Sequence, residues 1–206
     1  MELKQRILNI SEGLFMRYGL KSVTMDDIAR ELGISKKTLY QFVDNKSDLI
    51  EQIFEMKITE EKALMAQILQ SSSDAIDEIV NIARYVIKEL KQLSPTTMYD
   101  LQKYYRKTWR LLESLHQKHI YIIIKNNLER GMEQKVYRQN MNPDVVAKLY
   151  VAKTSFVTDE DLFPIREYNL EDLFREFIIY HIHGIASPKG LKLLEKYITT
   201  ELGEIN

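Results

Sequence analysis

The sequence predicts an all-α protein, and three observations carry that reading. Apolar residues recur at spacings of three and four along nearly the whole 206-residue chain, with no convincing strand and no repeat of fixed period. Seven Gly and four Pro are too few for the many turns of a β fold. Ser94-Pro95, Asn142-Pro143 and Ser187-Pro188 each place a capping residue before a proline, the signature of a helix start. A 45% hydrophobic and 29% charged composition supplies a core and excludes wholesale disorder. The absence of Cys excludes disulfides, thiol catalysis and thiolate zinc sites.

The elements follow in order. Leu3, Ile7, Ile10, Leu14 and Tyr18 form the stripe of a first helix over residues 2–18, with Gly19 placed as its C-terminal glycine. Thr24 caps a short second helix carrying Asp26 and Asp27 in its first turn and stopping at Gly33. Ser35 caps a third helix that carries Leu39 and Val43. Asn45 or Ser47 caps a long fourth helix to about Gln70, and Asp74 begins a fifth to about Leu93. Helices are then expected from Ser94-Pro95, through Trp109 to about Gly131, from Asn142-Pro143 to Phe156, from Asn169 to Ala186, and from Ser187-Pro188 to about Leu202. Asn169 with Asp172 resembles a capping box. Thr158 to Tyr168 reads as an acidic loop. Three short helices followed by longer ones divide the chain into residues 1–45 and 46–206.

Formal charge is −1, so a nucleic-acid role would rest on a local patch. Residues 1–50 hold eight basic and seven acidic groups, and Lys36 to Lys46 hold three Lys against one Asp. The longest apolar run, Ile120 to Ile124, is far short of the roughly 20 residues of a membrane span. Met1 to Gln5 lacks the apolar core of a signal peptide, so a cytoplasmic protein without a membrane partner is expected.

The informative stretch runs from Thr24 to Tyr40. It reads as a helix, a tight glycine turn and a second helix. Ala29 is small enough for a close crossing, Gly33 permits a left-handed backbone, and Ile34 plugs the gap between the helices. Leu39 and Val43 turn inward, which leaves Lys36, Lys37, Thr38, Tyr40 and Gln41 as a polar, basic surface suited to a major groove. Two ordinary amphipathic helices joined by glycine would show the same bare pattern.

Residues 6–53 resemble the N-terminal domain of the TetR/AcrR family of bacterial transcriptional regulators. The resemblance rests on Phe15-Met16-Arg17-Tyr18-Gly19, Thr24, Ile28-Ala29, Leu32-Gly33-Ile34-Ser35, Thr38-Leu39-Tyr40, Asn45-Lys46 and Leu49, in matching order and spacing. Two positions depart: Val43 stands where the family usually has Phe, and Lys37 where it often has Gly. The second adds a positive side chain at the DNA face. The resemblance implies a three-helix DNA-binding head with a helix-turn-helix, followed by a larger helical ligand-binding and dimerisation domain. It implies that Thr24 and Ser35 bond phosphates from helix N-termini, that Tyr40 and Lys46 reach the DNA backbone, and that Lys36, Lys37, Thr38 and Gln41 face base edges.

By the same resemblance, two C-terminal helices pair with a partner's, and the candidates are residues 142–156 and 170–186. Phe174, Phe177, Ile178, His181 and Ile185 form a stripe wide enough to serve both core and partner, and Gly184 permits close approach. A small-molecule pocket among the central helices would draw on Met98, Tyr99, Tyr105, Trp109, Leu112, His116 and Phe156. These amphipathic rings suit an uncharged or amphipathic effector, though aromatics at helical spacing are also ordinary core. Metal chemistry finds little support. Glu113-x-x-His116 is half of a di-iron pattern without a second copy, and His181-x-His183 points to two faces. No phosphate loop or nucleophile elbow appears, so no enzyme activity, metal or cofactor is expected. The expected protein is a homodimeric, ligand-responsive regulator, more often a repressor in this family, bound to a palindromic double-stranded DNA operator. An all-helical carboxylate-metal enzyme and a helical interaction protein without DNA binding are the alternatives.

Overall fold

The computed structural model describes residues 2–92, 95–157, 159, 161–164 and 166–201. Ten helices stand among them: α1 (Leu3–Tyr18), α2 (Met25–Leu32), α3 (Lys36–Leu39), α4 (Lys46–Ser71), α5 (Ala75–Gln92), α6 (Pro95–Tyr104), α7 (Arg106–Glu133), α8 (Pro143–Val157), α9 (Leu170–Ile185) and α10 (Pro188–Glu201). The only β pairing among the described residues is an isolated bridge between Tyr137 and Ala186. No helix there is long and apolar enough to cross a membrane.

The helix starts follow from their caps. Asn45 Oδ1 accepts from Asp48 N at 3.1 Å, so Asn45 rather than Ser47 opens α4. Asp74 Oδ1 accepts from Ile76 N and Asp77 N at 2.8 and 3.0 Å. Asn142 caps α8, and Asn169 caps α9 through Glu171 N and Asp172 N. Each side-chain oxygen satisfies backbone donors that a helix start leaves without partners. Ser94, expected to cap α6, lies outside the described residues, as does Leu202.

The chain forms two compact units. The first comprises residues 1–63 and 93–116, so it takes in the three short helices, the start of α4, all of α6 and the start of α7. Its core gathers Ile7, Phe15, Leu20, Ile28, Leu32, Leu39, Leu49, Ile50 and Leu101. The hydroxyl of Thr97 donates to Phe15 O at 3.1 Å, and the buried Asp100 accepts from Lys21 N at 2.8 Å. These bonds fasten α6 to the end of α1 and to the loop before α2.

The second unit comprises residues 64–92 and 117–206, with Ile76, Ile79, Val80, Ile124, Leu128, Ile178, Ile182 and Leu194 at its centre. A buried polar network ties α5 to α7. Asn127 donates to Ala75 O at 2.9 Å, and the Tyr137 hydroxyl lies 2.8 Å from Asn127 Oδ1. Arg130 bridges Glu78 at 2.7 Å and donates to Ser72 O at 3.0 Å. Burial pushes the Glu78 carboxyl up, and Arg130 opposes that shift. α10 packs so closely that a Cβ on Gly190 would stand 2.0 Å from Val136 O.

Candidate DNA-binding site

The first unit presents one face built from α2, α3 and the start of α4. Thr24 and Asp27 form a complete capping box: Asp27 N donates to Thr24 Oγ1 at 3.2 Å, and Thr24 N donates to Asp27 Oδ2 at 2.9 Å. The Thr24 hydroxyl also donates to Asp27 at 2.6 Å, and these bonds hold the Asp27 carboxyl below its usual range. α2 ends at Gly33, whose φ of 67° and ψ of 29° are left-handed. Ile34 N then returns to Ala29 O at 3.0 Å, and the chain turns sharply into α3. Ala29 is buried at this crossing.

Ser35 opens α3, accepting from Thr38 N at 3.0 Å and pairing with the Thr38 hydroxyl at 2.8 Å. The helix is short, and its continuation tightens: Gln41 N bonds Thr38 O and Phe42 N bonds Leu39 O, each a three-residue step. Leu39 and Val43 are buried beneath it, while Lys36, Lys37, Tyr40 and Gln41 are exposed and Thr38 is half-buried. The two adjacent lysines differ. Lys36 bridges Asp26 at 2.8 Å, and this bond raises its pKa. Lys37 has no ion-pair partner among the described residues.

Lys46, at the start of α4, points its ammonium at the loop before α2. It donates to Val23 O and, at 3.5 Å, to Lys21 O, and it lies 5.7 Å from the centre of the Phe15 ring. Partial burial pushes its pKa down, while the charges of Asp100 and Asp27 pull the other way. The arrangement is a helix-turn-helix with a polar, hydrogen-bonding outer surface and one uncommitted cation, chemistry suited to base edges and phosphates.

Residues 7–53 match the family described as bacterial regulatory proteins, tetR family. The chain is 25% identical over 189 residues to YvaF of Bacillus subtilis strain 168, an uncharacterized HTH-type transcriptional regulator, across 91% of this chain and 97% of that one. Its N-terminal segment is thus similar to the tetR-family regulatory domain. The HTH-type transcriptional repressor KstR2 of Rhodococcus jostii strain RHA1 is 20% identical over 203 residues, spanning 90% of this chain and 92% of its own. A transcriptional regulator from Cytophaga hutchinsonii shares the fold with a TM-score of 0.77 at 19% identity, over 89% of this chain and 98% of that one. The face around α3 lies within the segment that matches the tetR-family model.

The other nominated residues fall in several places. Leu112 is buried in the core of the first unit, and Tyr105 and Trp109 pack half-buried against that core. His116 pairs with Glu61 at 3.6 Å, and Tyr99 is exposed. Phe156 lies in the second unit, 55% exposed, and the Met98 side chain lies outside the described residues.

The stripe expected to face a partner is largely spent on the protomer's own core. Phe174, Ile178, His181 and Ile185 are buried there, and only Phe177 is half-exposed. The physical reason is that α9 packs against both α5 and α8, which consumes its most apolar face. Among the exposed apolar side chains, three lie on α8, Val145, Leu149 and Phe156, spaced four and seven apart, and Tyr180 of α9 is 68% exposed. That spacing was readable in the sequence. The Asp100–Lys21 tie carried no sequence signal, because it joins residues 79 apart.

Proposed function

We propose that the protein is a ligand-responsive transcriptional repressor that binds a palindromic operator as a homodimer. The single observation that carries the DNA half of this reading is the left-handed turn at Gly33, which sets an exposed Lys37, Tyr40 and Gln41 beside Thr38 on one short helix. In this reading Lys37, Thr38 and Gln41 face base edges, with Lys36 joining them once released from Asp26. Tyr40 and Lys46 reach phosphates, together with the capped starts of α2 and α3 at Thr24 and Ser35. A dimer would place two such helices about 34–36 Å apart in successive major grooves.

The exposed α8 stripe of Val145, Leu149 and Phe156, with Phe177 and Tyr180 of α9, is the surface on which the partner copy sits. An uncharged or amphipathic effector meets the half-buried Tyr105 and Trp109, and shifts the dimer between states through its differential affinity for them. The repressor reading draws support from the named role of the Rhodococcus relative.

Operator selection from random duplexes tests the proposal, paired with sedimentation of the wild type and Leu149→Asp. The expected result is an enriched palindrome bound by a dimer, with Leu149→Asp folded but monomeric. Failure to enrich any sequence would refute DNA recognition and favour a helical interaction protein. A folded Leu149→Asp dimer would move the interface elsewhere.

A further inference from the structure

We propose that the junction of α6 and α7 is a second, sequence-independent DNA contact, which neutralises phosphates flanking the site read by α3. The inference rests on the DNA-binding reading above and extends the footprint beyond the helix-turn-helix. Between Leu101 and Leu112 the chain carries four cations, Lys103, Arg106, Lys107 and Arg110, and no acid. All four are exposed. Arg106, Lys107 and Arg110 have no ion-pair partner among the described residues. Such a cluster of cations on one stretch is the electrostatic footprint expected of a surface that meets a nucleic-acid backbone.

Two bonds hold this junction beside the DNA-facing elements of the same unit. On one side Asp100 grips Lys21 N, three residues before the Thr24 cap. On the other, the buried Thr108 lies 3.2 Å from Glu51, five residues along α4 from Lys46. Five residues of helix rise about 7.5 Å. The backbone beside Thr108 is thus fastened to α4 within about two turns of its start.

The local charge is also uncompensated. Lys21 and Lys103 both lie near the Tyr104 ring, at 4.6 and 5.5 Å from its centre, so two ammonium groups gather at one aromatic side chain. Asp100 is the acid of this stretch, and its carboxylate is buried against a backbone N–H rather than paired with an ammonium. A surface whose like charges lack ion-pair partners gains most from an external anion, and the polyanion at hand is DNA.

The test measures operator affinity of the full chain against salt for the wild type and for a triple variant, Arg106→Ala, Lys107→Ala, Arg110→Ala. Duplexes with long and with trimmed flanks are compared. One phosphate released per half-site lowers the salt slope of the dimer by about 1.8, so the affinity gap between wild type and variant narrows about twelve-fold from roughly 50 to 200 mM salt. The wild type should also lose affinity when the flanks are trimmed, and the variant should not. If the triple variant misfolds, Lys107→Gln alone should lower the slope by half to all of that amount. An unchanged slope in a folded variant overturns the inference while leaving α3 recognition intact. A wild type that binds no selected duplex overturns the DNA reading itself.

Discussion

His181 makes acid sensitivity of the second unit predictable from geometry. Its imidazole is 9% exposed, edge-on to Tyr150 at 4.8 Å and stacked on Phe177 at 6.4 Å. Burial, with the Lys153 cation adding to it, depresses its pKa to about 4 from an ordinary 6.5. The folded state thus prefers the neutral ring. The stability this contributes is present above the unfolded pKa and is lost as pH falls from about 6.5 toward 4. A shift of that size corresponds to roughly 3 kcal/mol when fully expressed, and to about 2 kcal/mol at pH 5.

The perturbation is His181→Phe, which keeps an aromatic ring against Tyr150 and Phe177 but cannot titrate. Denaturant unfolding at about pH 7.5 and 5, at one protein concentration, gives the loss of stability on acidification for each protein. The wild type should lose about 2 kcal/mol more than the variant, while other titrating groups cancel in the comparison. Far-ultraviolet circular dichroism is the proper signal, because Trp109 belongs to the first unit and reports there. His181→Gln serves as a second non-titrating variant if phenylalanine overpacks the site. Equal acid losses in the wild type and either folded variant would refute the argument.

Lys46→Ala should weaken binding to all sequences alike and also destabilise the first unit, because its ammonium bonds Val23 O; binding curves on matched and scrambled duplexes, with a melt, check both. Lys37→Ala should instead change sequence preference, which repeated operator selection with the variant would reveal. Gly190→Ala should destabilise the second unit by at least 1–3 kcal/mol, on the order of an overpacked core, since its Cβ would meet the Val136 carbonyl oxygen at 2.0 Å; unchanged urea unfolding would contradict that packing.

The fold was legible because its determinants are local. Thr24, Asn142 and Asn169 each stand within three residues of the donors they satisfy, and Gly33 occupies the one left-handed position that the turn needs. Partner choice across sequence distance was not legible in the same way. The α9 stripe is apolar on a broad arc, and the sequence alone left open whether α5 and α8 or a second copy covers it. Within the chain, packing buries Phe174, Ile178, His181 and Ile185, while Val145, Leu149 and Phe156 of α8 are exposed.

The same limit divides Lys36 from Lys37. They are neighbours of one residue type on one helix, so composition and spacing assign them one role. Only the folded chain brings Asp26 to Lys36, and that leaves Lys37 uncommitted beside the glycine turn. A lysine bound to a carboxylate must exchange one partner for another on meeting DNA, whereas a free one gives its full charge to the contact. If α3 reads DNA as proposed, Lys37→Ala should therefore alter sequence preference more than Lys36→Ala does, which operator selection with each variant checks.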